Sequence, residues 1–188
     1  CLSRGLGDVY KRQDLQYCVE YKFDGLTLNL TYNEGRLIQA ATRGNGITGE
    51  AILPQAKTIR TVPLTIPYQG LLEVQGECIM RLSALDTYNK TAKEPLKNAR
   101  NAAAGALRNL DPAVTASRHL DAFFYQIGTI DNPPYTTQQG MLDFLRANGF
   151  QVSPIWGSAG ASAKLRTVST TSRRNAAAST CLLYTSDA

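Results

Sequence analysis

Apolar and polar residues alternate strictly along residues 17–32, which is the pattern of a β-strand that buries one face. The run Asn33-Glu34-Gly35 then predicts a turn, and residues 36–44 predict a second strand that completes a hairpin. Residues 71–79 and 120–129 predict a third and a fourth strand. The chain therefore carries enough strand-forming segments for a small sheet.

Three helices are predicted between and after these strands. Ser83 followed by Asp86 forms a weak capping box, which predicts that a helix begins there. Residues 100–111 are rich in alanine, the strongest helix former, and Thr136 opens a third helix that Gly149 ends. Because strands and helices mix without a regular β-α-β period, we predict an α+β domain built on an antiparallel sheet.

The net charge of +5 and the isoelectric point near 9.1 come from the two ends of the 188-residue chain. Residues 14–156 hold 13 basic and 13 acidic side chains, so the bulk charge gives no support for DNA binding by this middle part. We expect 14–156 to be a partial domain. Residues 1–13 and 157–188 are expected to be non-native, frameshifted or disordered tails, the alternative being genuine flexible tails.

Several classes of protein are disfavoured by what the sequence lacks. No window approaches the roughly 18 consecutive apolar residues of a membrane helix, and the N-terminus has no signal-peptide core, so a cytoplasmic protein without membrane contact is expected. The four cysteines form no CxxC pair, and His119 is the only histidine. A disulfide framework and a His/Cys zinc site are therefore excluded, and the chemistry must use carboxylates, lysines and arginines.

Lys22 is the most informative residue of the first predicted strand. It stands between Glu20 and Asp24 on one face, while three apolar side chains anchor the opposite face. A lysine placed in this way is either part of a structural ion pair or a nucleophile. The amine must be neutral to attack phosphorus, and neighbouring carboxylates favour its charged form, so a nucleophilic role requires a cation near the pocket.

Longer motifs surround this lysine. The residues Lys22-Phe23-Asp24-Gly25 match the K-x-D-G signature of covalent nucleotidyltransferases. Together with VEYKFDGL, AATRGNGITGE, LEVQGE and ARNAAAGALRNLDP, in this order and at these separations, they closely resemble the adenylation domain of bacterial NAD-dependent DNA ligases. The resemblance runs from about residue 15 to about residue 155, and it implies the fold of an antiparallel-sheet nucleotidyltransferase domain, here truncated.

The resemblance implies a role for each matching residue. Lys22 would attack the α-phosphorus of NAD and form a lysyl-AMP adduct, with Asp24 near the ribose and the magnesium ion. Glu20 would accept a hydrogen bond from the adenine amino group, and Glu77 would accept one from a ribose hydroxyl, which suits acceptor-only carboxylates. Arg43 would lie against the bound nucleotide. The adenylate would then pass to the 5′-phosphate of nicked DNA, and no protein cluster that binds a metal by itself is predicted.

For three further residues, a purely structural role is an alternative to the role that the resemblance implies. Tyr125 would stack on adenine, although simple core packing explains an aromatic there equally well. Arg100 and Arg108 would grip phosphates at the nick, since eight helical residues separate them by about 12 Å along one side. The alternative is a pair of solvent-facing arginines on an alanine-rich helix.

The sequence departs from the family pattern at Gln75, where arginine is usual, and at Ala51 and Asn45, where aspartate is usual. Loss of the arginine puts fine positioning at the nick or at the sheet edge in doubt. The resemblance also implies further domains of the same polypeptide and later lysine-bearing motifs that this chain does not show. We therefore expect a monomeric protein that binds nicked double-stranded DNA, and a fragment that is inactive alone.

Two other functions stay open at this point. An ATP-dependent ligase or a capping-type nucleotidyltransferase would share K-x-D-G, although the ARNAAAGALRNLDP segment argues against both. A non-catalytic nucleotide- or DNA-binding remnant would retain Lys22 only as a member of an ion pair.

Overall fold

A computed structural model describes residues 16–44, 49–153, 156–160 and 178–185. The described residues form two compact units, of which the first ends at Lys22 and resumes at residue 154, and the second is Phe23–Ser153. Strands and helices mix in the chain, and the strand pairs with a determined register are antiparallel. The predicted α+β class is confirmed.

The first unit contains a three-stranded sheet in the order β6-β1-β7. Strand β1 is Gln16–Phe23, β6 is Trp156–Gly160 and β7 is Ala178–Thr185. Strands β1 and β6 are antiparallel, with Glu20 opposite Trp156. Both β6 and β7 overlap the segment for which composition predicted no fold, whereas the predicted tail 1–13 lies outside the described residues. The tail boundaries stay a prediction.

The second unit is built on a four-stranded antiparallel sheet in the order β3-β2-β4-β5. Its strands are β2 (Leu26–Asn33), β3 (Arg36–Thr42), β4 (Leu72–Ile79) and β5 (Asp121–Ile130). One face is buried because alternate residues along each strand are apolar. The fully buried side chains on this face include Leu28, Leu30, Tyr32, Leu72, Val74 and Phe124.

The predicted hairpin between β2 and β3 is confirmed. Glu34 and Gly35 have φ angles of 49° and 70°, and Asn33 pairs with Arg36 across the turn. Two successive residues with positive φ form the tight turn that matches the twist of antiparallel strands. Gly35 is required for a second reason, because a Cβ there would lie 2.7 Å from the carbonyl oxygen of Ile66.

The prediction of one strand over 17–32 is wrong, because the chain breaks at Asp24-Gly25. Strand β1 ends at Phe23 and belongs to the first sheet, whereas β2 begins at Leu26 and belongs to the second. A Cβ on Gly25 would lie 2.0 Å from the carbonyl oxygen of Cys78. Glycine is therefore needed where the chain passes from one sheet to the other.

The described residues of the second unit form five helices: α1 (Leu53–Ala56), α2 (Leu82–Asn89), α3 (Ala99–Leu107), α4 (Pro112–Ser117) and α5 (Gln138–Ala147). The capping box predicted at Ser83 is wrong, since α2 follows Arg81 and has no side-chain cap. The alanine-rich helix ends at Leu107, four residues earlier than predicted. Asp111 then accepts a hydrogen bond from the amide of Ala113 and caps α4, which was not predicted.

The third predicted helix is shifted by one residue at its start. Thr137, and not Thr136, accepts a hydrogen bond from the amide of Gly140 and caps α5. Gly149 follows the end of this helix with a φ of 84°, which explains why the helix stops there. No helix in the described part of the chain combines the length and apolar character needed to cross a membrane.

Candidate active site

Lys22 lies next to the last residue of β1 and is exposed, whereas Glu20 and Tyr21 are buried. Glu20 is only 2% exposed, so the expected polar face of this strand does not lie uniformly in solvent. Asp24 follows the end of the strand and is exposed. The expected row of two carboxylates around a lysine is therefore divided between a buried acid, an exposed amine and an exposed acid outside the strand.

Asp24 is held by Arg100, which comes from α3. The guanidinium Nη1 of Arg100 lies 2.7 Å from Oδ1 of Asp24, and both side chains are about half exposed. This hydrogen bond raises the pKa of Arg100, and the negative charges of Asp24 and Glu77 raise it further. The structure thus brings together three of the predicted site residues: Asp24, Glu77 and Arg100.

Glu77 lies on β4, on the face of the sheet opposite the apolar core. Its Oε2 accepts a hydrogen bond of 3.3 Å from the hydroxyl of Thr27, directly across on β2. Its other cross-strand neighbour is Phe123 on β5, and the ring of Phe123 stacks on Phe23 with 4.1 Å between centroids. One carboxylate oxygen is therefore fixed beside a stacked aromatic pair.

The start of α3 positions Arg100. The side chain of Asn98 accepts a hydrogen bond from the amide of Asn101, which satisfies one of the free amides at the helix start. The apolar side of α3 packs against β2 and β4 through residues Ala102, Ala103, Ala106 and Leu107, all of them buried. Small alanine side chains allow the helix to lie close to the sheet, and Arg100 near its start contacts Asp24.

Arg108 lies one residue beyond α3 and has a different partner. Its Nε lies 3.2 Å from Oε2 of Glu50, and both side chains are more than half exposed. The two arginines predicted to grip phosphates are thus each engaged by a carboxylate. Both ion pairs are exposed, and such pairs contribute at most about 1 kcal/mol to stability, so a phosphate can compete for either arginine.

Arg43 and Gln75 contribute to a polar cavity of about 410 Å³ on the same sheet. The other polar side chains of its wall come from three strands: Asn29, Thr31, Gln39, Thr42 and Glu73. Three amide side chains, those of Asn29, Gln39 and Gln75, line this cavity, and Gln75 stands where the family pattern has an arginine. Ala51 is exposed and forms an isolated bridge with Ala41, and Asn45 lies outside the described residues.

Tyr125 lies at an irregularity of the β4–β5 pairing. Gln75 pairs with Gln126 and Gly76 pairs with Phe124, so Tyr125 is the extra residue of a bulge. Its side chain is half-buried, and its carbonyl oxygen accepts a hydrogen bond of 3.3 Å from Gln138. A bulge changes the direction of a side chain relative to its strand. Tyr125 therefore does not follow the regular alternation that places side chains in the core.

Three features of the site were missed from the sequence. Thr27 donates a hydrogen bond to Glu77, and Glu50 forms an ion pair with Arg108. The stacked rings of Phe23 and Phe123 lie beside Glu77. The alternation of β2 places Thr27 on the polar face, which was an available signal. Among the residues with described side chains, no group of three or more acidic, histidine or cysteine residues could hold a metal ion.

The sequence matches a family model over almost its whole length. The family is described as the NAD-dependent DNA ligase adenylation domain, and the match covers residues 4–180. The chain belongs to this family. The predicted family is therefore confirmed.

Curated relatives of this adenylation domain carry the name DNA ligase. The chain is 66% identical over 139 residues to a DNA ligase of Alkaliphilus oremlandii, and 54% identical over 146 residues to one of Finegoldia magna. These matches cover 74% and 78% of the chain but only 21% and 22% of the relatives. The chain spans about a fifth of the length of the ligases it matches.

The fold of the adenylation domain is also similar to a solved structure. A mycobacterial DNA ligase D complexed with ATP and MES superimposes with a TM-score of 0.51, covering 92% of this chain and 49% of that one. The sequence identity is 14%, so the likeness concerns the fold alone. It agrees with the predicted antiparallel-sheet nucleotidyltransferase class.

Proposed function

We propose that this chain carries the lysine of an NAD-dependent DNA ligase that accepts adenylate and passes it to the 5′-phosphate of nicked DNA. The observation that carries the proposal is the charged cluster of Asp24, Glu77 and Arg100, of which Asp24 follows the exposed Lys22 by two residues. Membership of the adenylation-domain family supports the choice of NAD.

In the proposed reaction Nζ of Lys22, in its neutral form, attacks the α-phosphorus of NAD. A nitrogen–phosphorus bond forms, the pyrophosphate bond to nicotinamide mononucleotide breaks, and the amine loses a proton. The 5′-phosphate of the nick next displaces Lys22 from the adenylate. The 3′-hydroxyl finally attacks that phosphate, joins the strands and releases AMP.

The remaining predicted residues bind the nucleotide in this proposal. Glu77 is fixed by Thr27 and keeps acceptor capacity for a ribose hydroxyl. Glu20 accepts from the adenine amino group, Arg43 lies against the nucleotide, and Tyr125 stacks on the base. These assignments follow the family resemblance residue by residue.

Magnesium fits this site through Asp24. Mg²⁺ usually takes one or two carboxylates and fills its other positions with water and substrate phosphates. A cluster of three protein ligands is therefore unnecessary. Asp24 is exposed directly after the C-terminal end of β1, two residues from Lys22. Asp24 would have to release Arg100, which would then be available for a phosphate. The ion supplies charge neutralisation on the phosphates.

The test is covalent labelling of a complete ligase that contains this domain. With NAD radiolabelled in the adenylate, we expect stoichiometric label on the wild-type protein and none on Lys22→Ala. Lys22→Arg should fail as well, because a guanidinium keeps its proton near neutral pH. The control is Lys57→Ala, which replaces an exposed lysine just after α1 and should label normally.

Three outcomes separate the candidate functions. Label on Lys22 from NAD but not from ATP supports the proposal, and label from ATP alone favours the ATP-dependent ligase or capping-type enzyme. A normal yield of label in Lys22→Ala contradicts the assignment of the nucleophile. A complete protein that takes label from neither substrate would be the non-catalytic remnant.

A further inference from the structure

The connection between α2 and α3, residues 90–98, carries an unusual concentration of lysine. Lys90, Lys93 and Lys97 are all exposed, and Glu94 is the one acidic residue of the segment. Loop 90–98 therefore has a net charge of +2, although residues 14–156 as a whole are neutral. It runs directly into the helix that carries Arg100.

Asn89, the last residue of α2, holds this loop in one conformation. Its side-chain amide donates to the carbonyl oxygen of Leu96 at 2.9 Å, and its Oδ1 accepts from the amide of Leu96 at 2.8 Å. The far end is held by Asn98, which caps α3. A loop fixed at both ends loses little conformational freedom on binding, so its charges are available at low entropic cost.

The lysines of loop 90–98 also differ from Arg100 and Arg108 in that no ion pair is found for them among the described residues. Of the side chains that the structure describes, no carboxylate lies within salt-bridge distance of the three lysines, whereas Arg100 and Arg108 contact Asp24 and Glu50. The uncompensated positive charge of this region is therefore on the loop.

We propose that loop 90–98 is a further contact surface for the phosphate backbone of duplex DNA. This inference rests on the proposed function and extends the DNA contacts beyond Arg100 and Arg108. Protein–DNA interfaces are polar and strongly positive, whereas the centres of protein–protein interfaces are poor in lysine and rich in aromatic residues. Loop 90–98 has no aromatic residue, and its leucine is half-buried. Duplex DNA is thus the better fit.

The test measures how DNA binding by the 188-residue chain depends on salt. A fluorescein-labelled nicked duplex is titrated with protein at 50 to 200 mM NaCl, and anisotropy gives the binding constant. Each phosphate contact contributes about 0.9 to the slope of log K against log salt concentration. Lys93→Ala and Lys97→Ala should each lower the slope by about 1, and the double variant by about 2. Because the double variant has the smaller slope, the ratio of the wild-type binding constant to that of the double variant should fall about tenfold between 50 and 200 mM salt.

Two control variants sharpen this experiment. Lys57→Ala removes the same charge from a position just after α1 and should leave the slope unchanged. Glu94→Gln removes the acidic residue of the loop and should tighten binding, since it relieves repulsion of the phosphates.

The inference is overturned if the double variant keeps the wild-type slope, if Lys57→Ala lowers it equally, or if the wild-type chain does not bind the duplex. Circular dichroism of each variant checks that the fold is retained. These outcomes are independent of the labelling of Lys22 by NAD, which involves none of the loop lysines. A failed loop experiment therefore leaves the adenylation proposal standing, and failed labelling leaves the salt dependence interpretable.

Discussion

Individual residues of the site are placed by contacts that are distant in sequence. Asp24 and Arg100 are separated by 76 positions, and Thr27 and Glu77 by 50. The local pattern around Lys22 placed charged residues on a strand, but it predicted neither the end of that strand at Phe23 nor these partners. Side-chain alternation predicts which face a residue occupies, whereas the identity of its neighbour depends on how the sheet and α3 pack.

The clearest prediction at this scale concerns Gly25. In Gly25→Ala the new methyl group would overlap the carbonyl of Cys78, so the free energy of unfolding should fall by about 3 kcal/mol, the upper end of the cost of overpacking. Urea unfolding of the chain followed by circular dichroism measures this difference.

Gly105→Ala is the matched control. Gly105 lies inside α3, and a methyl group added there would meet no atom within 4 Å, so alanine should raise the free energy of unfolding by about 0.5–1 kcal/mol. Opposite signs for the two substitutions are expected. Equal effects would contradict the close approach of Gly25 to β4.

At the scale of the element, strands β3, β4 and β5 and the longer helices were predictable, whereas β6, β7 and the short helices were not. The hairpin turn and strands β4 and β5 follow directly from alternation and turn residues. Helix α1 has four residues, too few for a hydrophobic period. Helix α4 is also short, although Asp111 followed by Pro112 is a start signal that could have identified it.

The break between β1 and β2 shows a different limit of prediction. Alternation holds on both sides of Gly25 but changes phase there, from Val19, Tyr21 and Phe23 to Leu26, Leu28 and Leu30, and the prediction of one strand overlooked this change. The break arises because the two halves pair with different partners: β1 with β6, and β2 with β3 and β4. Tertiary pairing, not local propensity, divides the segment.

Helix α3 provides the prediction at this scale. Asn98→Ala removes the cap that bonds the amide of Asn101, and should lower the free energy of unfolding by about 1 kcal/mol. Asn98→Asp keeps a capping oxygen and should restore most of the loss. Both are measured by urea unfolding of the chain, and an alanine variant as stable as wild type would show that packing alone holds the helix start.

For the whole molecule, the chain corresponds to about a fifth of the curated ligases it matches. We propose that the missing parts of such a ligase supply cations that stabilise charge on the phosphates and hold the leaving nicotinamide mononucleotide. Catalysis gains only from interactions that are stronger in the transition state, so loss of these groups affects the rate directly.

We therefore expect that the 188-residue chain alone does not react detectably with NAD. A single missing electrostatic donor costs about 3–4 kcal/mol, so two or more should slow the reaction by about 10⁴-fold or beyond. The purified chain is incubated with radiolabelled NAD and magnesium, and the complete ligase serves as the positive control. Stoichiometric label on Lys22 of the isolated chain would prove that the other segments are dispensable.

The contact between Gly25 and the carbonyl of Cys78 has a consequence for accuracy at the site. Asp24 comes directly before Gly25, and Glu77 comes directly before Cys78. The positions of both carboxylates therefore depend on the same backbone contact. When β4 shifts, its displacement carries the Gly25 backbone with it, and much of the movement is common to both acids. Their separation is therefore less sensitive to fluctuations of the sheet than either position alone.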